Sequence, residues 1–358
     1  MLEESKPITK AHLAAGRAVD QLRRQLGIVF QEDNGDRIGA CPVEGLTQDL
    51  LSDLRALPKS RLHLLLTGAR ARSLGLDTKD AQAVRIDAQN LLLPAMQALA
   101  DPLADKKDIP KVTLLPATPS QEMLLTLAKY ASLLPAMLII ESNALPEEWV
   151  SVAIADVKAY WSAPMFDIVP LTKAALPIGG GEQAALTCFR ERYGTSVHLA
   201  LVVGKIGDNP LTRIHSSCVT GDILGSLRCD CGNQLKLALE AISKAGSGIL
   251  IYLHQEGRGI GITNKLRAYQ LQERGVDTYD ANLMLGFGED ERDFSIAAAI
   301  LKKLGVSRIR MLTNNPHKMA AIEKAGIKVS ERVPLIAATG EHNHAYLEAK
   351  SKKAGHLF

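Results

Sequence analysis

Three cysteines, Cys218, Cys229 and Cys231, lie close together in the stretch CVTGDILGSLRCDCG. Thiolates bind Zn²⁺ tightly, and a structural zinc closes its tetrahedron with four protein ligands. With three local ligands and an open fourth position, a zinc ion can hold a water and lower its pKa toward ~7. Two other readings fit the same spacing. One is a structural zinc whose fourth ligand is distant, such as His215, and the other is a set of buried cysteines without metal. C-x-C alone does not choose among them.

Cationic residues form the second set. Arg213 is read at the end of a strand, Arg258 sits in QEGRGIG, Arg292 in EDERD, and Lys318 follows LTNNP. Each taken singly reads as a solvated surface charge. Together they lie at strand ends or on loops beside glycine, asparagine or proline, where ligands of open α/β sheets collect. A polyphosphate needs several such donors from different loops. Gly257, Gly259 and Gly261 allow close backbone approach, although their spacing matches neither a P-loop nor a dinucleotide fingerprint. Glu256 is suited to accept from the N1–H and amino group of a guanine; alternatively it is a loop carboxylate paired with Arg258.

These residues need a frame, and alternating elements supply one. Ser196–Gly204, Thr212–His215, Gly248–Leu253, Arg308–Thr313 and Lys328–Leu335 read as strands. Gly232–Lys244, Thr263–Arg274, Asp293–Leu304 and Lys318–Ala325 carry helical spacing, with Gly305 as a stop signal. In the N-terminal part, His63–Leu66 and Ala136–Ile140 are strand-like, and Leu91–Leu103 and Gln121–Leu134 helix-like. This alternation predicts α/β architecture with mixed sheets. Prolines and a triple glycine around residues 160–180 mark a seam of turns and linker, so two domains are expected, residues 1–165 and 166–358.

The 358 residues suffice for two cores, and 46% apolar with 23% charged residues is a globular composition. No apolar run approaches the ~18 residues of a spanning helix, and the N-terminus lacks a secretory h-region. The expectation is a reduced, cytoplasmic protein that engages no membrane. A net charge of +3 is too small to argue for nucleic acid, and neither a basic helix nor zinc-finger spacing is present. Cys41 and Cys188 read as small core residues, and the H-x-H of His342 and His344 is suited to a metal but reads first as a solvated helix start.

RIHSSCVTGD, SLRCDCGNQL, YLHQEGRGIGITNKLRAYQLQERGVDT, ANLMLGFGEDERDF, KKLGVSRIRMLTNNPHK and AGIKVSERVPL together resemble GTP cyclohydrolase II, in order and spacing, over nearly all of residues 205–335. The tail EHNHAYLEAKSKKAGHLF is also similar to that family's C-terminal end. The resemblance implies that Cys218, Cys229 and Cys231 bind zinc. It implies GTP contacts from Arg213, Ile214, His215, Ser216, Ser217, Gln234, Glu256, Gly257, Arg258, Thr278, Thr313 and Lys318. Asp290 matches a proton acceptor, Arg292 a nucleophile toward the α-phosphate, and Tyr269 a tyrosine linked to ring opening. The implied reaction converts GTP to 2,5-diamino-6-ribosylamino-4(3H)-pyrimidinone 5′-phosphate, formate and pyrophosphate, the first step of riboflavin biosynthesis. Mg²⁺ would accompany the phosphates, and a homodimer is the family expectation. An arginine nucleophile is physically awkward, because guanidinium stays protonated below a pKa of ~12; stabilisation of the α-phosphate without bonding stays open. Ser217 departs from the family, which has glutamate before the first zinc cysteine. That change either alters charge beside the metal or is tolerated at a position that works through its backbone.

Residues 10–145 resemble a faded 3,4-dihydroxy-2-butanone 4-phosphate synthase. The hints are AGRAVDQLRRQLGIVFQED, LHLLLTGARARSLGL and TLAKYASLLPAMLIIE. Glu32, Asp33 and Asp36 do not reproduce that family's acidic run, and Pro119-Ser120-Gln121-Glu122 replaces its histidine-threonine-glutamate. Without those metal ligands an ene-diolate cannot be stabilised, so the expectation is a domain inactive in that reaction. Two alternatives to an active cyclohydrolase remain: an altered-product relative, and a zinc-stabilised GTP-binding regulatory protein.

Overall fold

The computed structural model describes residues 9–162, 168–179, 183–191, 194 and 196–336; His342, His344 and the C-terminal tail lie outside them. The chain divides into two compact units. The first comprises Met1–Ala163 with Thr263–Asp290, and the second Pro164–Ile262 with Glu291–Phe358. The segment 263–290, which follows the glycine-rich loop in sequence, therefore packs with the N-terminal residues.

The first unit is built on strands β1 (Ile28–Gln31), β2 (Arg37–Pro42), β3 (Arg61–Thr67), β4 (Ala83–Asp87), β5 (Leu114–Pro116), β6 (Ala136–Glu141) and β7 (Val150–Ala153). They form one sheet in the order β5-β4-β3-β6-β2-β1-β7, antiparallel throughout except for the parallel β1–β7 pair. Side chains alternate across a strand, so each strand feeds two cores. Leu65, Met137 and Ile139 join the helices Lys10–Arg23 and Pro119–Tyr130 on one face. Leu64, Leu66, Leu138 and Ile140 meet Leu51, Leu54, Met96 and Leu99 on the other. Cys41 is buried in this second core, as expected.

The second unit carries β8 (Ile168–Ala175), β9 (Ala184–Glu191), β10 (Val197–Val203), β11 (Leu211–Ser216), β12 (Gly248–Leu253), β13 (Arg308–Leu312) and β14 (Lys328–Val333). The order is β14-β13-β11-β12-β10-β9-β8. The first four are parallel and the last three antiparallel. Both units thus show the mixed α/β architecture expected from the alternation. Cys188 on β9 is half-buried.

Two local expectations are corrected and one helix is added. The seam around residues 160–180 contains β8, not only turns. Proline survives there because β8 is an edge strand and its register shifts between Pro170 and Thr172. An unforeseen helix, Thr278–Met284, is nucleated by Asp277, whose carboxylate accepts from the amides of Tyr279 and Asp280. The helix expected from Asp293 starts at Ser295, because the Asp293 carboxylate accepts from the Ser295 amide at 2.9 Å. Among the described residues, no helix is long and apolar enough to cross a membrane.

Candidate active site

The chain leaves β11, runs over β12 on one side, and returns to β13 on the other, so the strand order reverses between β11 and β13. Crevices form at such reversals, outside the carboxyl ends of the strands. Pairing between β11 and β13 runs through Leu211–Arg310 and Thr212–Met311. Just beyond, Arg213 donates from NH1 to the Leu312 carbonyl at 3.0 Å and from NH2 to Gln234 Oε1 at 2.6 Å. Gln234 in turn donates to Asp230 at 2.6 Å. Burial pulls the Arg213 pKa down to about 10, so it stays charged at neutral pH. Lys318 is buried on the helix Pro316–Lys324 and donates from Nζ to the Ile214 carbonyl at 3.0 Å. Its Nζ lies 4.8 Å from the Phe294 ring centroid, and the Arg292 guanidinium lies 5.0 Å from the same ring. Thr313 is buried and its hydroxyl accepts from the Asn315 amide at 3.1 Å, which shapes the turn into that helix.

The cysteines converge beside these cations. Cys218 precedes a π-helical turn, Val219–Ile223, and Cys231 opens the helix Cys231–Lys244. Their three sulfurs lie within 4.8 Å of one another, Cys218 and Cys229 at 3.6 Å. Gly221 closes the cradle: a Cβ there would lie 2.8 Å from the Cys229 sulfur and 3.1 Å from that of Cys218. The hydrogen bond with Cys218 raises the Cys229 thiol pKa, as does burial, against a hydrogen bond with Cys231. A divalent cation reverses that balance by stabilising thiolates, so the donor set fits a soft metal ion such as zinc. His215 is not part of the group. Its Nε2 is held 3.1 Å from both Asp222 oxygens and its ring stacks on Tyr252 at 5.5 Å. That removes it as the proposed fourth ligand and leaves three.

Asp222 and Tyr252 were not foreseen. The Asp222 carboxylate accepts from His215, from Tyr252 Oη at 2.9 Å and from the Cys218 amide at 3.0 Å. It therefore fixes the first cysteine from behind, while burial pushes the Tyr252 phenol pKa up. The i to i+4 step from Cys218 to Asp222 was the available signal, but its meaning comes from the π-turn. Burial is the main cause lowering the His215 pKa, so the imidazole is neutral and Nε2 carries the proton toward the carboxylate.

The glycine-rich loop meets the same place. Glu256 accepts from the Val219 amide at 2.7 Å and from the Gly257 amide at 3.2 Å, tying it to the turn after Cys218. Gly257 and Arg258 both take φ of 62°, and Gly259 follows at 91°. A left-handed arginine is strained, and its carbonyl is held by the Glu291 amide at 3.0 Å. Arg213 Nε, His215 Nδ1, Ser216 Oγ and Ser217 Oγ are buried without a protein hydrogen-bond partner. Four such atoms within five residues leave hydrogen-bonding capacity for an ordered water or a polar ligand. The Ser217 amide donates to the Leu253 carbonyl at 2.8 Å, a contact independent of its side chain.

The residues around Cys218, Arg213 and Lys318 are thus brought together within the second unit. Tyr269, Thr278 and Asp290 belong to the first. There Tyr269 carries Lys265 Nζ 5.7 Å from its ring centroid, the Thr278 hydroxyl accepts from Gln272 at 3.3 Å, and Asp290 is exposed.

The family model for GTP cyclohydrolase II matches residues 171–334. A GTP cyclohydrolase-2 of Azospirillum brasilense is 37% identical over 365 residues, covering 96% of this chain and 95% of that protein. The chain belongs to the GTP cyclohydrolase II family. Another family member, from Aeromonas hydrophila, is 52% identical over 196 residues, covering 54% of this chain and 99% of its own length. A riboflavin biosynthesis protein of Vibrio vulnificus is 53% identical over 172 residues, 48% of this chain and 47% of that protein. Among solved structures, a two-domain 3,4-dihydroxy-2-butanone 4-phosphate synthase from A. baumannii aligns over 90% of this chain and 99% of its own at 17% identity, with a TM-score of 0.34.

Proposed function

We propose that this cyclohydrolase-family chain hydrolyses GTP to 2,5-diamino-6-ribosylamino-4(3H)-pyrimidinone 5′-phosphate, formate and pyrophosphate, as the first step of riboflavin biosynthesis. The observation that carries the reading is the three-cysteine cluster beside buried Arg213 and Lys318 at the β11/β13 crevice. Zinc held by Cys218, Cys229 and Cys231 would supply a Lewis acid and a water of lowered pKa. Arg213, Lys318 and Arg292 provide fixed positive charge for the triphosphate, with Mg²⁺ entering alongside the phosphates. They act most strongly where charge develops on the leaving pyrophosphate, because donors held in place beforehand, as buried Arg213 and Lys318 are, need no reorganisation. Arg292 serves here through its charge at the α-phosphate.

By family likeness Glu256 would accept from the guanine base, and Ser216 and Ser217 would contact GTP. Asp290 and Tyr269 take the proton-accepting and ring-opening roles by family likeness, and Thr278 contacts substrate. The N-terminal residues are inactive as a dihydroxybutanone phosphate synthase. In support, Thr118 and Gln121 are engaged in a capping box at 3.2 and 3.1 Å, Asp33 pairs with Lys158 at 2.6 Å, and Asp36 closes its own turn with Asn34. Among the described residues the cysteines are the one group of three or more histidine, cysteine or acidic side chains able to hold a metal.

The test is incubation of the full chain with GTP, Zn²⁺ and Mg²⁺, following formate and pyrophosphate together. Equimolar release with the diaminopyrimidinone product is expected. GTP binding without formate would instead support a regulatory protein.

A further inference from the structure

Residues 263–290 carry Tyr269, Thr278 and Asp290, and several of the segment's partly buried hydrogen bonds are made with N-terminal residues. Arg70 is 3% exposed, and its guanidinium donates to the carbonyls of Leu99 at 2.8 Å, Ala98 at 2.9 Å and Met284 at 3.2 Å. It thereby serves the C-terminal ends of two helices, Leu93–Ala100 and Thr278–Met284, where a cation complements the free carbonyls and the dipole. Two residues later, Gly286 has φ of 87°, and a Cβ on it would lie 2.9 Å from both Pro135 Cγ and Thr67 Oγ1. The turn leading to Asp290 is thus pressed against the N-terminal sheet.

The other end of the segment is tied as closely. Asn264 is fully buried and donates to the Ser132 carbonyl at 3.0 Å. One turn on, Arg267 donates to Asn264 Oδ1 at 2.7 Å and to Glu44 Oε1 at 2.5 Å, with Asp101 3.5 Å from its Nε. The second Glu44 oxygen accepts from the Leu134 amide at 2.6 Å. Glu44 therefore links two places: the loop before β6 and the helix that carries Tyr269.

We infer that the N-terminal residues act as an internal positioning scaffold for cyclohydrolase chemistry, with Glu44 and Arg70 as positioning residues that set the conformation of residues 263–290. The inference rests on the GTP-hydrolysing function above. It gives the N-terminal half a task that needs none of the synthase's metal ligands. Both ends of the segment continue covalently into the second unit at Ile262 and Glu291, so its conformation is passed on by the chain itself.

The test uses the full chain loaded with zinc. Glu44→Gln keeps the shape but replaces one acceptor oxygen by a donor, and Arg267→Gln removes the partner. Each is expected to lower kcat at least about tenfold while the KM for GTP stays within about twofold. The double variant should fall little further than the worse single, because both break the same Glu44–Arg267 pair. Glu44→Asp should recover part of the loss, and hydrogen exchange should rise in 263–290 in both single variants. Arg70→Lys, which retains charge but not the planar fork that reaches three separate carbonyls, should do the same. Wild-type kcat in both Glu44→Gln and Arg267→Gln, or losses that simply add, would overturn the scaffold role. A wild-type chain that releases no formate would overturn the GTP reading itself, a separately visible failure.

Discussion

Lys318 and Arg213 reach across the β11/β13 crevice in opposite directions: Lys318 Nζ donates to the Ile214 carbonyl and Arg213 NH1 to the Leu312 carbonyl, each at 3.0 Å. Each cation serves a main-chain acceptor on the neighbouring strand, just past the last paired residues, Thr212 and Met311. This reciprocal tie fixes two positive charges at the mouth of the crevice and holds the strand ends as they part.

Lys318→Met should therefore act on both chemistry and stability. Loss of one fixed donor to developing charge is expected to lower kcat/KM about 100- to 1000-fold. The orphaned Ile214 carbonyl should cost about 1–3 kcal/mol of stability. Steady-state formate release and thermal unfolding read the two effects separately; unchanged catalysis would remove Lys318 from the phosphate site.

Cys229→Ser should strip the metal without dissolving the fold. Cys229 lies between Cys218 and Cys231, whereas the strands nearby are held by their own ladders and cores. Bound zinc, measured by elemental analysis, is expected to fall well below the wild-type content, and ring opening to vanish. The far-ultraviolet circular dichroism should stay near wild type. Global unfolding would instead mark the zinc as structural.

Ser217→Ala tests the departure from the family's glutamate. The backbone bond to Leu253 survives the change, and the hydroxyl has no protein partner. The melting midpoint should not move, and kcat/KM should fall by no more than about tenfold, the value of one neutral hydrogen bond. A larger loss would give this hydroxyl a direct part in the reaction.

Acid should weaken the first unit through His63. Burial is the main cause lowering its pKa below 6.5, with Glu141 opposing and Arg85 assisting. The unfolded chain then binds a proton more readily than the folded one, so this contribution is present above about pH 6.5 and is lost as pH falls toward the lower folded value. His63→Gln is expected to flatten the fall of the melting midpoint between about pH 7.5 and pH 5.5 relative to wild type. Parallel curves would contradict the assignment.

Ribulose 5-phosphate with Mg²⁺ should yield no dihydroxybutanone phosphate from the full chain. Where a metal-binding histidine is needed, Thr118 and Gln121 instead cap the helix Pro119–Tyr130. Detectable product would reverse that conclusion.

Much of the site was legible in the sequence because its chemistry is carried by short spacings. Cys218, Cys229 and Cys231 lie within one loop and the start of one helix, and metal ligation restricts which residue types can stand there. Arg213 and Lys318 were visible as cations, and apolar patterns located β3, β6 and β10 to β14, half of the described strands, with most of the longer helices. Other features depend on a local backbone turn or on partners far away in the chain. Asp222 becomes a clamp only when a π-turn places it against His215, Tyr252 and the Cys218 amide. Pro170 sits in a strand because that strand lies at an edge, a fact of sheet order. Residues 263–290 read as a continuation of the cyclohydrolase motifs, yet Arg70, Glu44 and Ser132 hold them. Local pattern determined which residues could bind metal and phosphate, since donor type and spacing are properties of the chain itself. Tertiary packing decided which side chains position them, since a buried hydrogen bond is satisfied by whatever partner the fold brings near.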